Sequence, residues 1–293
     1  MRRIDRAVLI YNPNSTGSAP ELAEGLRADL AERLPALPVT LRPTRHAGHA
    51  RDLAAEAAGE GRPLIVSVSG DGGYNEVVDG VMRAERTHAV CAVLAAGNAN
   101  DHHRVLRDRP LIESIVADEV RRIDLLRLTV ADRAGAHVQH AHSYIGLGLT
   151  PIVAVDLEKG GKGSFREIVT AVRTFTRFRP FTIVRPDGTR HRFDSLVFAN
   201  IPEMAKYATL SEHGRPDDGL FEVVAIPHTA KWRVLGTALR AAVRGLGPQP
   251  GVREYEFTTA APTPMQIDGE VIRVPEGATV RVEVLPGALT TLV

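Results

Sequence analysis

The chain has 293 residues, 36 Lys+Arg against 35 Asp+Glu for a formal charge of +1, and 44% hydrophobic residues. This balance excludes both a disordered chain and a polycationic nucleic-acid binder, and the length is near twice a domain of roughly 100–200 residues. No apolar run approaches the ~20 residues of a spanning helix, Met1–Arg6 leads into no signal-peptide core, and a single cysteine excludes an internal disulfide, so the expected compartment is the cytoplasm.

In chain order, Ala7–Tyr11 reads as a buried strand, Pro20–Leu34 as a helix, Val39–Arg42 as a strand, His49–Ala58 as a helix and Leu64–Val68 as a strand. A glycine-rich turn, Ser69 to Gly73, precedes a helix over Tyr74–Arg83, and Ala89–Leu94 is a further strand that carries Cys91 as a core thiol. Strands alternating with helices predict an α/β domain over 1–122. From Arg122 the texture becomes short alternating runs: Asp124–Val130, His137–Ile145, His191–Phe198, Leu220–Ile226 and Thr279–Val284. They predict an antiparallel β domain over 123–293, with the last residues left open to return to the first domain. Two amphipathic helices interrupt it, Ser164–Phe178 and Thr229–Val243.

Polar loops at strand carboxyl ends are where open α/β sheets bind ligands. Three stand out: Asn12-Pro13-Asn14-Ser15-Thr16-Gly17, Ser69-Gly70-Asp71-Gly72-Gly73, and Gly97-Asn98-Ala99-Asn100-Asp101. The middle loop opens a helix, where backbone N–H groups favour phosphate. It is neither a Walker loop nor a dinucleotide fingerprint. Asn100 and Asp101 suit a ribose, a phosphate or a hydrated cation, and equally a helix cap. Downstream, Asp217-Asp218-Gly219 and Asp268-Gly269-Glu270 read either as chemistry or as strand-joining turns. The eleven histidines form no zinc-ligand spacing.

Taken in order, these pieces resemble the diacylglycerol kinase catalytic-domain family, which includes bacterial soluble diacylglycerol kinases, YegS-like lipid kinases and sphingosine kinases. Asn12-Pro13 matches its first strand end, and Ser69–Gly73 with Asn75-Glu76-Val77-Val78 its Gly-Gly-Asp-Gly-Thr loop and the helix start that follows. Gly97–Asp101 matches Gly-Thr-x-Asn-Asp, Gly146-Leu147-Gly148 a Gly-x-Gly strand end opened into a helix by Lys162–Phe165, and the two acidic elements match Asp-Asp-Gly and Asp-Gly-Glu. The resemblance implies a doubly wound, NAD kinase-like ATP-binding domain joined to an antiparallel β-sandwich, with the active site in the interdomain cleft. It implies transfer of the ATP γ-phosphate to a lipid hydroxyl, foremost that of diacylglycerol. By position it carries nucleotide binding to Asn12, Ser15, Thr16, Gly17, Ser69, Gly70, Asp71, Gly72, Gly73, Glu76, Gly97, Asn98, Asn100 and Asp101. It makes Asp268 the general base beside Glu270 and Asp71, and gives Mg²⁺ to Asp71, Asp124, Asp218 and Glu270. The partner implied is a lipid at the inner membrane face, with peripheral association and a homodimer left open.

The chain departs from the family pattern in places. Ser69 replaces a glycine, Gly73 a threonine and Asn98 a threonine; Ser143 and Thr150 stand where Asn and Asp are common, and Ile201–Ser211 replaces a glycine-rich loop. Two other readings follow: a kinase of a soluble acceptor, since NAD kinases share the Gly-Gly-Asp-Gly loop, or a nucleotide- or lipid-binding protein without turnover.

Overall fold

The computed structural model describes residues 3–15, 18–84, 87–97, 100–106, 109–148, 179–204, 208–211 and 214–292. The chain divides into two compact units, Met1–Leu125 with Pro286–Val293, and Leu126–Leu285.

The first unit runs β1 (Arg6–Tyr11), α1 (Ala19–Arg33), β2 (Val39–Pro43), α2 (His49–Ala58), β3 (Pro63–Ser69), α3 (Asp71–Arg83), β4 (Val90–Ala95), α4 (Asp101–Leu106) and α5 (Leu111–Ala117). The strands pair in parallel in the order β2-β1-β3-β4, and Thr291 adds a returning strand end beside Cys91 of β4. Alternate residues Ala7, Leu9, Leu64, Val66, Val90 and Ala92 form one core with Ala23, Leu26 and Leu30 of α1 and with Leu111 and Ile115 of α5. The other face receives α2 and α3. Because both faces are covered, these strands read as continuous apolar runs rather than alternating ones.

The two helices α2 and α3 approach so closely that a Cβ at Gly80 would lie 2.2 Å from the Arg51 carbonyl oxygen. Only glycine fits there. Asp79, 1% exposed, joins the same helices by ion pairs to Arg51 at 2.7 Å and Arg83 at 3.1 Å. Cys91 is buried in the sheet, and burial pushes its thiol up to about 12, as a core residue requires.

The second unit contains most of β5 (Val120–Asp132), then β6 (Gly135–Ala141), β7 (Tyr144–Gly148), β8 (Phe181–Val184), β9 (Arg190–Ala199), β10 (Glu203–Met204), β11 (Ala208–Thr209) and β12 (Phe221–Pro227). After these come α6 (Lys231–Arg244), β13 (Gly251–Val252), β14 (Glu254–Thr259), β15 (Thr263–Ile267), β16 (Glu270–Val274) and β17 (Thr279–Leu292). Its strands pair antiparallel along β16-β15-β7-β9-β8-β14-β17, with β12 added to β9 and β13, and β6 to β5. Phe198, Phe221 and Phe257 sit at the centre of its core, Phe198 meeting Phe221 edge-on at 86°. This is the antiparallel β region, interrupted by a helix, that the sequence pattern predicts.

Three boundaries differ from expectation. The glycine-rich turn is shorter, because α3 already begins at Asp71 and holds Gly72 and Gly73 in its first turn. The run His137–Ile145 is not one strand: it breaks at His142–Ser143, between β6 and β7. The strand expected over Thr279–Val284 continues to Leu292. The helix expected over Ser164–Phe178, with Lys162 and Thr150, lies outside the described residues.

Candidate functional site

In the first unit, a cavity of about 430 Å³ opens where β1, β2 and β3 end and α3 begins. Asn12, Asn14, Ser67, Ser69, Gly73 and Glu76 line it, and so do Thr44, Arg45, His46 and Ala47. The Asn12 side chain accepts the Asn14 N–H at 2.9 Å while its carbonyl accepts that of Ser15, folding the loop after β1 into a tight turn. The Ser15 hydroxyl is buried without a hydrogen-bond partner among the described residues. Thr16 and Gly17 lie outside them.

The loop 44–48 is the part of this wall that sequence reasoning missed. Gly48 takes φ +81° and donates its N–H to the Glu76 carboxylate at 3.2 Å. The Arg45 N–H donates to His49 Nδ1, and the His46 and His49 rings stack 4.8 Å apart. Arg45 thereby brings a cationic side chain, and His46 an imidazole, to a cavity edge. The signal was the loop's position after β2, the same strand-end rule that picked out the other three loops.

The two glycine loops meet through their backbones. A Cβ at Gly97 would lie 2.5 Å from the Gly70 Cα, so glycine at 97 is a packing requirement. Gly70 precedes α3, whose first turn has no side-chain cap. Its N–H groups and the positive end of the helix dipole favour an anion.

The neighbouring loop residues hold this geometry. Asn100 adopts φ +51°, which asparagine tolerates, and its amide bonds Gly97 in both directions: Nδ2 donates to the carbonyl at 2.7 Å, and Oδ1 accepts the N–H at 3.2 Å. Its backbone carbonyl also accepts the Arg104 N–H and so starts α4. Asp101 is buried and paired with Arg104 at 3.2 Å, while the Asp71 carboxylate accepts the His102 N–H at 3.4 Å. Asn100 thus builds this loop and starts α4. Asn98 lies outside the described residues.

In the second unit, Asp268 and Gly269 are the two central residues of the β15–β16 hairpin, with φ +44° and +100°. Two positive φ values are what the primed hairpin turn requires. The turn reading is therefore right, and the side chain does more besides. The Asp268 carboxylate is 0% exposed and accepts the backbone N–H groups of His142 at 2.6 Å, Ser143 at 3.1 Å and Tyr144 at 2.8 Å. This cradle explains the break between β6 and β7: the amides at 142–144 turn to the carboxylate instead of a neighbouring strand. The buried His142 ring lies 3.4 Å from the same carboxylate through Nε2 and 2.7 Å from the Ser143 hydroxyl through Nδ1. Glu270 accepts the Gln139 side-chain N–H at 2.7 Å.

The remaining acidic candidates each accept a backbone N–H. Asp124, buried in the first unit, accepts the Gly287 N–H at 2.6 Å and fixes the returning strand. Asp218 accepts the Leu220 N–H at 3.0 Å and shapes the turn before β12. Within either unit, among the described residues, no three Asp, Glu, His or Cys side chains gather as a metal cluster.

Comparison with known proteins accords with this geometry. Residues 6–128 match the diacylglycerol kinase catalytic domain family. Over 97% of the chain and 93% of its own length, a Pseudomonas aeruginosa (strain UCBPP-PA14) protein named "Probable lipid kinase YegS-like" is 28% identical. A diacylglycerol kinase crystal structure from Bacillus anthracis str. Sterne superposes with a TM-score of 0.73 at 18% identity, covering 100% of this chain and 98% of that one. Yeast NADH kinase complexed with NADH superposes with a TM-score of 0.55 at 11% identity, covering 99% and 83%. These likenesses establish a fold shared with both kinase groups. The residues that match the diacylglycerol kinase catalytic domain, 6–128, hold the cavity and both glycine loops.

Proposed function

We propose that this chain is a lipid kinase that transfers the γ-phosphate of ATP to a lipid hydroxyl, with diacylglycerol the foremost acceptor. The observation that carries the reading is the cavity at the carboxyl ends of β1–β3, beside the uncapped start of α3. Phosphoryl transfer needs positioning and charge neutralisation more than covalent chemistry, and this wall offers both. Asn12, Asn14, Ser67, Ser69 and His46 present hydrogen-bonding groups, Arg45 presents a cationic one, and the first-turn amides of α3 supply the anion-binding end. The Gly70–Gly97 contact keeps side chains out of the loop junction.

Mg²⁺ would neutralise phosphate charge. It prefers one or two carboxylates plus waters, and in the first unit Asp71 is of the right type for this role. In this reading Asp268 accepts the hydroxyl proton, and the amides of 142–144 fix the orientation of its carboxylate.

The same proposal places the protein at a membrane surface. Among the described residues no helix is long and apolar enough to cross a bilayer. In α6, Trp232 is 70% exposed with the Arg233 guanidinium 5.1 Å from its ring. The stretch 223–253 contains Lys231, Arg233, Arg240, Arg244 and Arg253 and neither Asp nor Glu. Indole and arginine are the side chains that settle at an anionic lipid–water boundary.

The test is transfer of label from γ-labelled ATP with Mg²⁺ into organic-extractable product, using mixed micelles that carry a panel of lipids. Label in diacylglycerol supports the proposal. Label confined to a water-soluble acceptor, or nucleotide binding without transfer, overturns it. Flotation with phosphatidylglycerol-containing vesicles, lost with Trp232→Ser, tests the membrane part.

A further inference from the structure

Ser69 and Gly73 share one small volume in the cavity wall. A Cβ at Gly73, in the first turn of α3, would lie 2.6 Å from both Cβ and Oγ of Ser69, the last residue of β3. Heavy atoms do not pack at that distance, so a side chain at one position excludes a side chain at the other. Both residues line the cavity, so whichever carries the side chain presents it to the same space.

The pattern that this chain resembles has the reverse arrangement, glycine at the first of these positions and threonine at the second. Taken singly, Ser69 and Gly73 are two departures. Taken together, they conserve one hydroxyl and one glycine across a contact that holds only one side chain. We propose that Ser69 supplies the nucleotide-facing hydroxyl of this site, as one half of a coupled exchange with Gly73. The proposal rests on the cavity being the nucleotide site.

The local hydrogen bonds suit the role. The Ser69 hydroxyl donates to the Gly70 carbonyl at 2.9 Å and lies 2.7 Å from the Ser67 hydroxyl. A hydroxyl has one proton and two lone pairs, so Ser67 is the donor in that pair. An arriving phosphate or ribose oxygen draws the Ser69 proton from the Gly70 carbonyl by rotation about a single bond. Ser67 then steadies the hydroxyl from behind. The carbonyl released belongs to Gly70, which already accepts the Tyr74 N–H within α3 at 3.0 Å, so the exchange strands no buried acceptor.

The experiment uses the full chain with ADP as probe, reading affinity by calorimetry and fold by melting temperature. Four variants are compared with the parent: Ser69→Ala, Ser69→Gly, Gly73→Thr, and Ser69→Gly combined with Gly73→Thr. Ser69→Ala keeps the volume and loses the hydroxyl that accepts from Ser67, so it weakens ADP about tenfold while lowering the melting temperature less than Gly73→Thr does. Gly73→Thr alone drives its side chain into Ser69, lowers the melting temperature by several degrees and abolishes binding. The double variant restores the melting temperature and brings ADP affinity back within about threefold of the parent. A double variant no better than the sum of its parts overturns the exchange, as does Ser69→Ala binding like the parent. A folded parent that binds no ADP overturns the nucleotide reading itself. That failure is distinct, because the melting temperatures still report the shared volume.

Discussion

The glycine loops of the first unit and the acidic hairpin of the second present the same kind of motif and use it differently. Around Gly70 and Gly97 the backbones touch, and the polar side chains of Asn12, Ser67, Ser69 and Glu76 border open space. Around Asp268 the backbone turns outward in a hairpin, and the carboxylate is wrapped by three amides in a buried cradle. A short polar-glycine motif thus says that the local backbone is special. Whether its side chains face a ligand or the protein depends on what packs against them.

The contrast is broken first at Asp268. Asp268→Ala leaves three buried amides without their acceptor, which costs on the order of 3–5 kcal/mol. Chemical denaturation should show that loss together with the loss of activity. Asp268→Asn keeps one acceptor oxygen and costs less stability, so a fully inactive but folded Asn variant would favour proton acceptance over bracing.

Gly97→Ala comes next. Its Cβ would press on Gly70 at 2.5 Å, so roughly 1–3 kcal/mol of stability should go, and ADP affinity with it. A fully stable, ADP-binding alanine variant would show that the loops do not need this approach.

Asn12→Ala acts in the other direction. Asn12 is exposed and makes one local turn bond, so stability should change by less than about 1 kcal/mol while ADP weakens about tenfold. Unchanged affinity would remove Asn12 from the site.

A smaller effect is expected at Glu222 in the second unit, where burial, and then the nearby Asp218 charge, raise the carboxyl above its usual 4.5. The folded state then holds the proton more tightly than the unfolded state does. Its contribution is fully present below pH 4.5 and is lost as pH rises through the folded value. Melting temperatures of the parent should therefore fall over that window relative to Glu222→Gln, and parallel curves would refute the assignment.

Least of all should happen at Cys91. With its thiol pushed to about 12 inside the sheet, it should react with an aromatic disulfide reagent only after unfolding.

Much of this was legible in the amino-acid order, because the first unit obeys local rules. Ala7–Tyr11 and Leu64–Val68 are apolar runs buried on both faces, and helical spacing marks α2 and α3. What escaped depends on partners distant in sequence. Nothing near His142 announces a break in a strand, since the cause is a carboxylate 126 residues later. Nothing near Asp124 in the chain names Gly287 as its partner. The Thr44–Ala47 wall was overlooked for the opposite reason: its position after β2 was visible, but it lacks the glycine cluster that drew attention elsewhere.

The parallel pairing of Thr291 with Cys91, where the threonine hydroxyl also donates to the Cys91 carbonyl at 3.0 Å, spans 200 residues of chain. Proteins are synthesised from the N-terminus at about 5–20 residues per second, so β4 emerges from the ribosome roughly 10–40 s before its neighbour exists. For that interval the nascent sheet has an open, apolar margin of Val90, Cys91, Ala92 and Val93, the kind of edge on which chains stick to one another. The order of birth of its strands thus makes this margin dependent on a segment made 200 residues later, and on whatever guards it until that segment arrives.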